Sequence, residues 1–184
     1  ANFDKGSSTR KAWFSTLIPE SPQTYTFEWE FKVRLDFGPI SSSLASKNKV
    51  RVYLNSSQAD LNEGPTSYFI ECKPVADENL MECRLYFSNG GEEILLTSTS
   101  IVQSALYEFV NVKIRRSRNG NFETWINGIS QGKVNNSSLP INGFFGGQIF
   151  FSAGSREDKF HFDDFSFIKY PFIDTLIISD EKTI

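Results

Sequence analysis

The feature that most constrains the fold is residues 24–37, where apolar and polar side chains alternate without interruption. The apolar members are Tyr25, Phe27, Trp29, Phe31, Val33, Leu35 and Phe37. This period of two predicts a β-strand, because successive side chains in a strand point to opposite faces. At roughly 3.3 Å per residue such a strand is about 46 Å long. We expect it to end at Gly38-Pro39 and to need a second layer over its apolar face.

A β-hairpin is predicted from residues 68–73 and 80–87, which flank a polar stretch. A turn centred between Asp77 and Glu78 fixes the register of the two strands. On one face this register pairs Tyr68 with Phe87, Ile70 with Leu85, and Cys72 with Cys83. On the other face it pairs Phe69 with Tyr86, and Glu71 with Arg84. Aromatic and opposite-charge pairs are the ones that stabilise facing strands.

Two Asn-Gly pairs predict a three-stranded meander in the second half of the chain. Asn119-Gly120 separates strand segments 108–116 and 121–127, and Asn127-Gly128 leads into residues 129–134. Asn and Gly both tolerate the positive φ angles of a type I′ hairpin turn. A two-residue turn at Asn119-Gly120 places Ile114 opposite Trp125, and Arg116 opposite Glu123.

The chain is predicted to be all-β, a two-sheet antiparallel β-sandwich of about ten strands. The sequence contains 18 Phe, 6 Tyr and 3 Trp, and aromatic residues favour pleated, half-buried surfaces. No segment shows a sustained helical period. We expect one domain over residues 1–170, followed by a tail over 171–184 that is a linker toward a further domain or a strand of its own.

Composition excludes several classes of function. The formal charge of −3 offers no basic field for nucleic acid. No run of 18 apolar residues predicts a transmembrane helix, and the N-terminus lacks the pattern of a signal peptide. With one His and two Cys, a His-rich or Cys-rich metal site is excluded too.

Three short segments carry a resemblance to a known family: Arg51–Leu54, Ser57–Leu61 and Phe162–Phe165. In this order and spacing they resemble a β-sandwich domain of secreted and surface proteins of Bacteroidetes, which often precedes lamin-tail-like or adhesion modules. The resemblance implies a concanavalin A-like or laminin G-like jelly roll and a secreted, cell-surface or outer-membrane-associated location. The family usually begins with a further strand that is missing here. The chain is therefore expected to be part of a longer polypeptide that lacks its first strand.

Asp163 and Asp164 are candidate calcium ligands. They interrupt the alternation of Phe160 and Phe162 with Phe165 and Phe167, which predicts a β-bulge. Paired carboxylates suit Ca²⁺, which takes six to eight oxygen ligands, and sandwiches of the resembled kind often hold calcium between the last and first strands. The alternatives are a solvated pair or a carboxylate that caps backbone N–H groups. No other cofactor is expected.

A glycan-binding platform is predicted on the face opposite the core. Its aromatic members are Tyr53, Phe69 and Tyr86, on which a sugar ring could stack through its C–H groups. Its polar members are Arg51, Glu71 and Arg84, which could bind hydroxyl groups. The alternative is that these side chains only stabilise a sheet that faces solvent or another domain.

The remaining candidates favour structural roles. Glu28 and Glu30 lie on one face of the long strand, but that whole face is polar, which indicates a solvated surface rather than a catalytic carboxylate pair. His161 has no partner that the sequence reveals. Trp29 and Trp125 are predicted to be core residues, since each alternates in phase with aliphatic neighbours.

Cys72 and Cys83 lie opposite each other in the predicted hairpin, at a separation that a disulfide can span. Such a bond would persist in an exported protein, and the alternative is two buried thiols. The function predicted from these observations is a non-catalytic module that acts in adhesion or carbohydrate binding, with a glycan as its partner. The alternative is a structural or protein-interaction domain of a cell-envelope assembly that binds another envelope protein.

Overall fold

The computed structural model describes residues 2–4, 9–18, 25–97, 101–138 and 143–170, with backbone alone for 2–4, 101–105 and 154. Its strands are β1 (Asn2–Asp4), β2 (Arg10–Leu17), β3 (Thr26–Leu35), β4 (Lys49–Ser56), β5 (Ser67–Pro74), β6 (Leu80–Asn89), β7 (Glu92–Leu95), β8 (Ile101–Ala105), β9 (Val110–Arg116), β10 (Asn121–Ile126), β11 (Ile129–Asn135), β12 (Phe144–Phe151) and β13 (Phe160–Tyr170). A short helix, α1 (Ser42–Ala45), and a 3₁₀ helix (Gly154–Lys159) complete the elements. No helix in this part of the chain is long and apolar enough to cross a membrane.

The strands form two antiparallel sheets. The larger has the order β1-β2-β12-β4-β5-β6-β7, with β8 also paired to β6. The smaller has the order β11-β10-β9-β3-β13. The predicted all-β, two-sheet sandwich is confirmed, with thirteen strands in the described residues where the sequence predicted about ten. The predicted tail, 171–184, lies outside the described residues.

The core between the sheets explains the alternation in β3. Every second residue of this strand is fully buried between the sheets: Phe27, Trp29, Phe31, Val33 and Leu35. The other sheet faces them with alternate residues of β4, β5 and β6, among them Val52, Ile70 and Leu85. Trp29 is thus a core residue, as predicted. Apolar surface removed from water stabilises the fold by about 25 cal/mol per Å², so this double row is the main stabilising contact.

The β5–β6 hairpin has the predicted register at every pair. Tyr68 lies opposite Phe87, Cys72 opposite Cys83, and Glu71 opposite Arg84 in the observed ladder. The cysteines, however, are free thiols, both buried in the core. The predicted disulfide is therefore absent from this structure, and the alternative of two buried thiols is the observed arrangement. Burial among apolar side chains raises the pKa of the Cys72 thiol well above its usual value, so the sulfur packs as a small neutral group.

The β9–β10 hairpin differs from the prediction by one residue. Ser117 and Asn121 flank a three-residue loop whose last member, Gly120, has a φ of 77°. Trp125 consequently lies opposite Lys113 rather than Ile114. A slip of one residue moves every side chain of a strand to the other face. The prediction that Trp125 is a core residue is therefore wrong, since its indole lies half-buried on the outer face of the smaller sheet.

The second Asn-Gly pair forms the predicted tight turn. Asn127 and Gly128 have φ angles of 48° and 79°, and Ile126 pairs with Ile129 across them. Positive φ at both central residues is the requirement of a type I′ turn. The two Asn-Gly pairs therefore differ in loop length, although their sequences are the same.

The predicted bulge in β13 is also present. The register against β3 shifts between Asp163 and Ser166, and Asp164 has a φ of 52°. The Asp164 carboxylate forms an ion pair of 2.5 Å with Lys32, and the Asp163 carboxylate accepts the backbone N–H of Asp164 at 2.9 Å. Within the described residues there is no group of three or more His, Cys, Asp or Glu side chains that could hold a metal. Calcium binding by Asp163 and Asp164 stays a prediction.

The two glycine turns give a matched test of the β9–β10 loop. A Cβ on Gly120 would overlap the carbonyl of Asn136, whereas a Cβ on Gly128 would meet nothing. Both positions have positive φ, so Gly128→Ala should lower the free energy of unfolding by about 1–2 kcal/mol through backbone strain alone. Gly120→Ala should cost roughly 1–3 kcal/mol more, because it adds a steric clash. Urea denaturation measures both, and equal losses would contradict the observed loop.

Candidate functional site

The six predicted platform residues share the outer face of the larger sheet. The ladder pairs Arg51 with Glu71 and Tyr53 with Phe69 between β4 and β5. It continues on β6, where Arg84 lies opposite Glu71 and Tyr86 opposite Phe69. The prediction of one common face, away from the main core, is therefore confirmed.

The prediction that the aromatic residues form an open platform is wrong. Tyr53 and Phe69 are only 3% and 1% exposed, and Tyr86 is half-buried. The Phe69 ring packs between the other two, with its centroid 5.3 Å from Tyr53 and 5.2 Å from Tyr86. Segment 57–66, which connects β4 to β5, places Leu61 on this cluster, and Trp13 of β2 joins it from the side. The rings form a second small core rather than a stacking surface.

Arg51 is held over this cluster by two carboxylates. Its guanidinium lies 4.4 Å from the centroid of Phe69 and donates to Glu71 at 2.8 Å. The other side of the guanidinium donates to both oxygens of Glu93, at 2.6 and 3.0 Å. Such bidentate contacts fix the orientation of the guanidinium as well as its charge.

The charges in this network stay ionised at neutral pH. Burial alone raises the pKa of Glu71, but Arg51 and Lys49, whose ammonium lies 2.8 Å away, outweigh it and lower the pKa below its usual value. Burial likewise lowers the pKa of Arg51, but Glu71 and Glu93 more than offset this and raise it. A carboxylate with a lowered pKa holds no proton to donate at neutral pH.

Arg84 does not take the predicted role. Although it lies opposite Glu71, its ion pair is with Glu82 on its own strand. Glu71 is already engaged by Lys49 and Arg51. Arg84 and Tyr86 do not line the adjacent pocket.

A pocket of about 230 Å³ opens beside Arg51, and we call it the Arg51 pocket. It is lined by Lys11, Arg51, Tyr53, Leu61, Asn62, Gly64, Pro65, Ser67, Phe69, Ser88, Gly91, Glu93, Gln148 and Phe150. Three of the six predicted residues, Arg51, Tyr53 and Phe69, therefore contribute to it. Strands from both halves of the chain and the segment 57–66 build its walls.

A chain of side-chain hydrogen bonds fixes one wall of the Arg51 pocket. The Tyr53 hydroxyl donates to Oε1 of Gln148 at 2.9 Å, and Nε2 of Gln148 donates to Oδ1 of Asn62 at 2.8 Å. Gln148 is only 1% exposed, and burial raises the pKa of Tyr53, so its hydroxyl stays protonated. The Asn62 amide N–H groups and the Ser88 hydroxyl have no hydrogen-bond partner within the described part of the chain.

Sequence reasoning missed Gln148, Asn62 and Glu93 as pocket residues. One signal was available, since Gln148 is the sole strongly polar residue between Phe144 and Phe151. A polar side chain in an apolar strand must find a partner when buried. Asn62 and Gln148 are 86 positions apart, so no local pattern connects them.

The outer face of the smaller sheet is not simply solvated, as predicted, because Glu28 is 3% exposed. Its carboxylate is 2.8 Å from both Lys113 and Arg115. Burial raises the pKa of Glu28, but these two cations outweigh it and lower the pKa below its usual value. Nearby, His161 has a partner that the sequence did not reveal, with Nε2 2.8 Å from the Asp36 carboxylate.

No protein-family model matches the chain, and no curated protein does so. Solved structures show its fold. A carbohydrate-binding module of family CBM66 from Bacillus subtilis matches with a TM-score of 0.56 at 10% identity, covering 90% of each chain. The carbohydrate recognition domain of Emp47p matches with a TM-score of 0.60 at 7% identity, covering 88% of this chain and 78% of that one. An alginate lyase from Pseudomonas aeruginosa reaches 0.54 at 9% identity, over 91% and 86% of the two chains. At such identities the likeness shows the jelly-roll β-sandwich fold.

The buried Glu71 gives stability a defined pH dependence. Because its pKa in the folded state lies below its usual value, its stabilisation is complete above the usual carboxyl pKa and is lost as the pH falls through the folded pKa. Glu71→Gln should therefore cost roughly 3 kcal/mol of unfolding free energy at about pH 7, and much less at about pH 3. Urea denaturation at both pH values measures this. Glu78→Gln, on the exposed hairpin turn, is the control. A loss that is the same at both pH values would contradict the ionised pair.

Proposed function

We propose that this chain is a non-catalytic carbohydrate-binding module that holds one sugar residue in the Arg51 pocket. The observation that carries the proposal is the pocket itself, in which oriented polar groups surround a small concave space on the outer face of the larger sheet. Sites of this kind combine apolar walls with a few fixed polar groups that provide specificity.

The free hydrogen-bonding groups of the pocket match the hydroxyl groups of a sugar. Asn62 keeps its amide donors, and Ser88 keeps a hydroxyl that can donate or accept. Arg51 and Gln148 are already fixed by partners, so a ligand meets an ordered wall and little entropy is lost on binding. A volume of about 230 Å³ lies below the roughly 300 Å³ at which pockets for drug-sized ligands begin, which favours a single ring.

Two of the structural neighbours bear names that describe carbohydrate binding, and this chain shares their fold. A shared fold by itself does not assign a function. It adds to the proposal only because a pocket with suitable chemistry is present on the same scaffold. We further propose that the module belongs to an exported or cell-surface protein, as the sequence resemblance implies.

The lowered pKa values favour binding over catalysis. A glycoside hydrolase needs one carboxylic acid that keeps its proton near neutral pH, which requires a raised pKa. The pKa values of Glu71 and Glu28, the two most buried carboxylates beside the outer faces, are instead shifted downward. Both are held as salt-bridged anions, which suits a structural role.

A protein-interaction domain is the second candidate function, and the edge strand β13 favours it. Phe165, Phe167 and Ile168 are all at least 40% exposed along this strand. An edge strand with exposed large apolar side chains offers both unpaired backbone groups and an apolar surface to a partner chain.

Asn62→Ala tests the sugar pocket. The variant removes the free amide donor and the hydrogen bond to Gln148, while Asn62 lies in a segment whose strands on either side are unaffected. A glycan array identifies the ligand, and titration of the strongest binder should show roughly tenfold weaker affinity for the variant.

Asn89→Ala, at the exposed end of β6, is the matched control and should bind as the unsubstituted protein does. Equal affinity of the Asn62 variant for the strongest binder would refute the pocket. Silence of the unsubstituted protein across the array would favour the protein-interaction function, and light scattering or capture on a defined partner would then replace the array.

A further inference from the structure

A second cleft lies on the outer face of the smaller sheet, on the side of the molecule opposite the Arg51 pocket. Its volume is about 520 Å³, and we call it the Trp125 cleft. It is lined by Glu30, Asn111, Lys113, Arg115, Trp125, Asn127 and Gly128. These residues come from β3, β9, β10 and the β10–β11 turn, so three neighbouring strands and one tight turn position them.

Trp125 provides an aromatic surface that the folded chain leaves partly open. The three-residue loop before β10 turns the indole outward, where it lies between Lys113 and Ser130 in the ladder. It is half-buried, unlike Trp13 and Trp29, which are at most 8% exposed. A flat indole fixed in a sheet loses little conformational freedom when a ring stacks on it.

The charges around Trp125 are compensated within the protein. Lys113 and Arg115 lie 5.9 and 6.0 Å from the indole centroid, and both are anchored on the buried Glu28. Glu30 accepts a hydrogen bond of 2.9 Å from Asn111. Two cations are therefore matched by two carboxylates, and the cleft has no surplus charge that would require a charged ligand.

A second aromatic ring extends this surface along the sheet. The Arg115 guanidinium lies 5.4 Å from the ring centroid of Tyr170, which is 38% exposed at the end of β13. Arg115 thus separates two accessible aromatic rings on four adjacent strands. Neighbouring strands lie about 4.8 Å apart, so this row matches a chain of several sugars better than a single one.

We propose that the Trp125 cleft is a second carbohydrate site, which binds an uncharged oligosaccharide by stacking a sugar ring on Trp125. The apolar C–H face of the ring packs on the indole, while Asn111, Lys113 and Arg115 donate hydrogen bonds to ring hydroxyls. This site does not depend on the Arg51 pocket, because the two lie on opposite sheets.

Two sites on one module would give it a bivalent mode of binding. A module that holds one sugar residue on one face and an oligosaccharide on the other can bridge two chains of a polysaccharide or bind one surface with increased avidity. The two sites differ in kind, since one is a small enclosed pocket and the other an open row of aromatic rings.

The test uses defined neutral hexasaccharides of β-glucan, xylan and mannan, with an oligouronate of the same length for comparison. Binding is followed by tryptophan fluorescence and calorimetry. At least one neutral hexasaccharide should bind and protect a tryptophan from acrylamide quenching. Trp125→Ala should weaken that binding by at least about tenfold and abolish the protection, whereas Trp125→Phe should retain part of the affinity.

Two controls separate the sites. Ile129→Ala changes an exposed apolar residue of the same hairpin, and Asn62→Ala changes the Arg51 pocket; both should leave hexasaccharide affinity within about twofold. Affinity should also stay constant between about 50 and about 500 mM salt, since no net charge is matched. Failure of every neutral hexasaccharide to bind, binding that persists in both Trp125 variants, or binding of the oligouronate alone would each overturn the proposal. Loss of array binding in Asn62→Ala with intact hexasaccharide binding would uphold this site independently of the other.

Discussion

The burial of one face of β3 against the larger sheet is the contact on which the rest of the structure depends. β3 is paired on both sides, with β9 and β13, and its alternate residues from Phe27 to Leu35 lie in the core. Because the strand is amphipathic along its whole length, fixing one face inward fixes the other outward. Glu28 and Glu30 therefore face outward, and β9 and β10 are aligned beside them. The same packing fixes the larger sheet, whose outer face bears the Arg51 pocket.

Features set by side-chain period and by a four-residue loop could be predicted from the sequence. The β5–β6 register was correct at every pair because two independent patterns, one on each face, agreed on it. The β9–β10 register was not, because Asn-Gly satisfies both a two-residue type I′ turn and a three-residue loop that ends in a residue with positive φ. The choice between these loops is made by tertiary contacts, here with Asn136, whose N–H donates to the carbonyl of Gly120. An error of one residue was enough to hide Trp125 from the sequence analysis.

The candidate site shows a different limit. Alternation identifies which face a side chain is on, and it placed all six platform residues correctly. It does not show what covers that face. Leu61 and Trp13, from segments on either side of β4, bury Tyr53 and Phe69, and nothing in the pattern of β4 or β5 announces them. The wall of the pocket has the same origin, since Gln148 of β12 meets Tyr53 of β4 only after the larger sheet has assembled.

Both outer faces contain a buried carboxylate that holds two cations, and stability alone does not account for this arrangement. Glu71 holds Arg51 and Lys49 on one sheet, and Glu28 holds Lys113 and Arg115 on the other. Replacement of a buried ion pair by apolar residues of similar size is often neutral or stabilising, because the desolvation of the charges offsets their attraction. What the carboxylates do provide is orientation, since each fixes a guanidinium beside an aromatic ring and a concave surface. A cation whose position is already fixed can donate to a ligand without first losing side-chain freedom. The repeated arrangement therefore favours two prepared binding surfaces, one on each sheet.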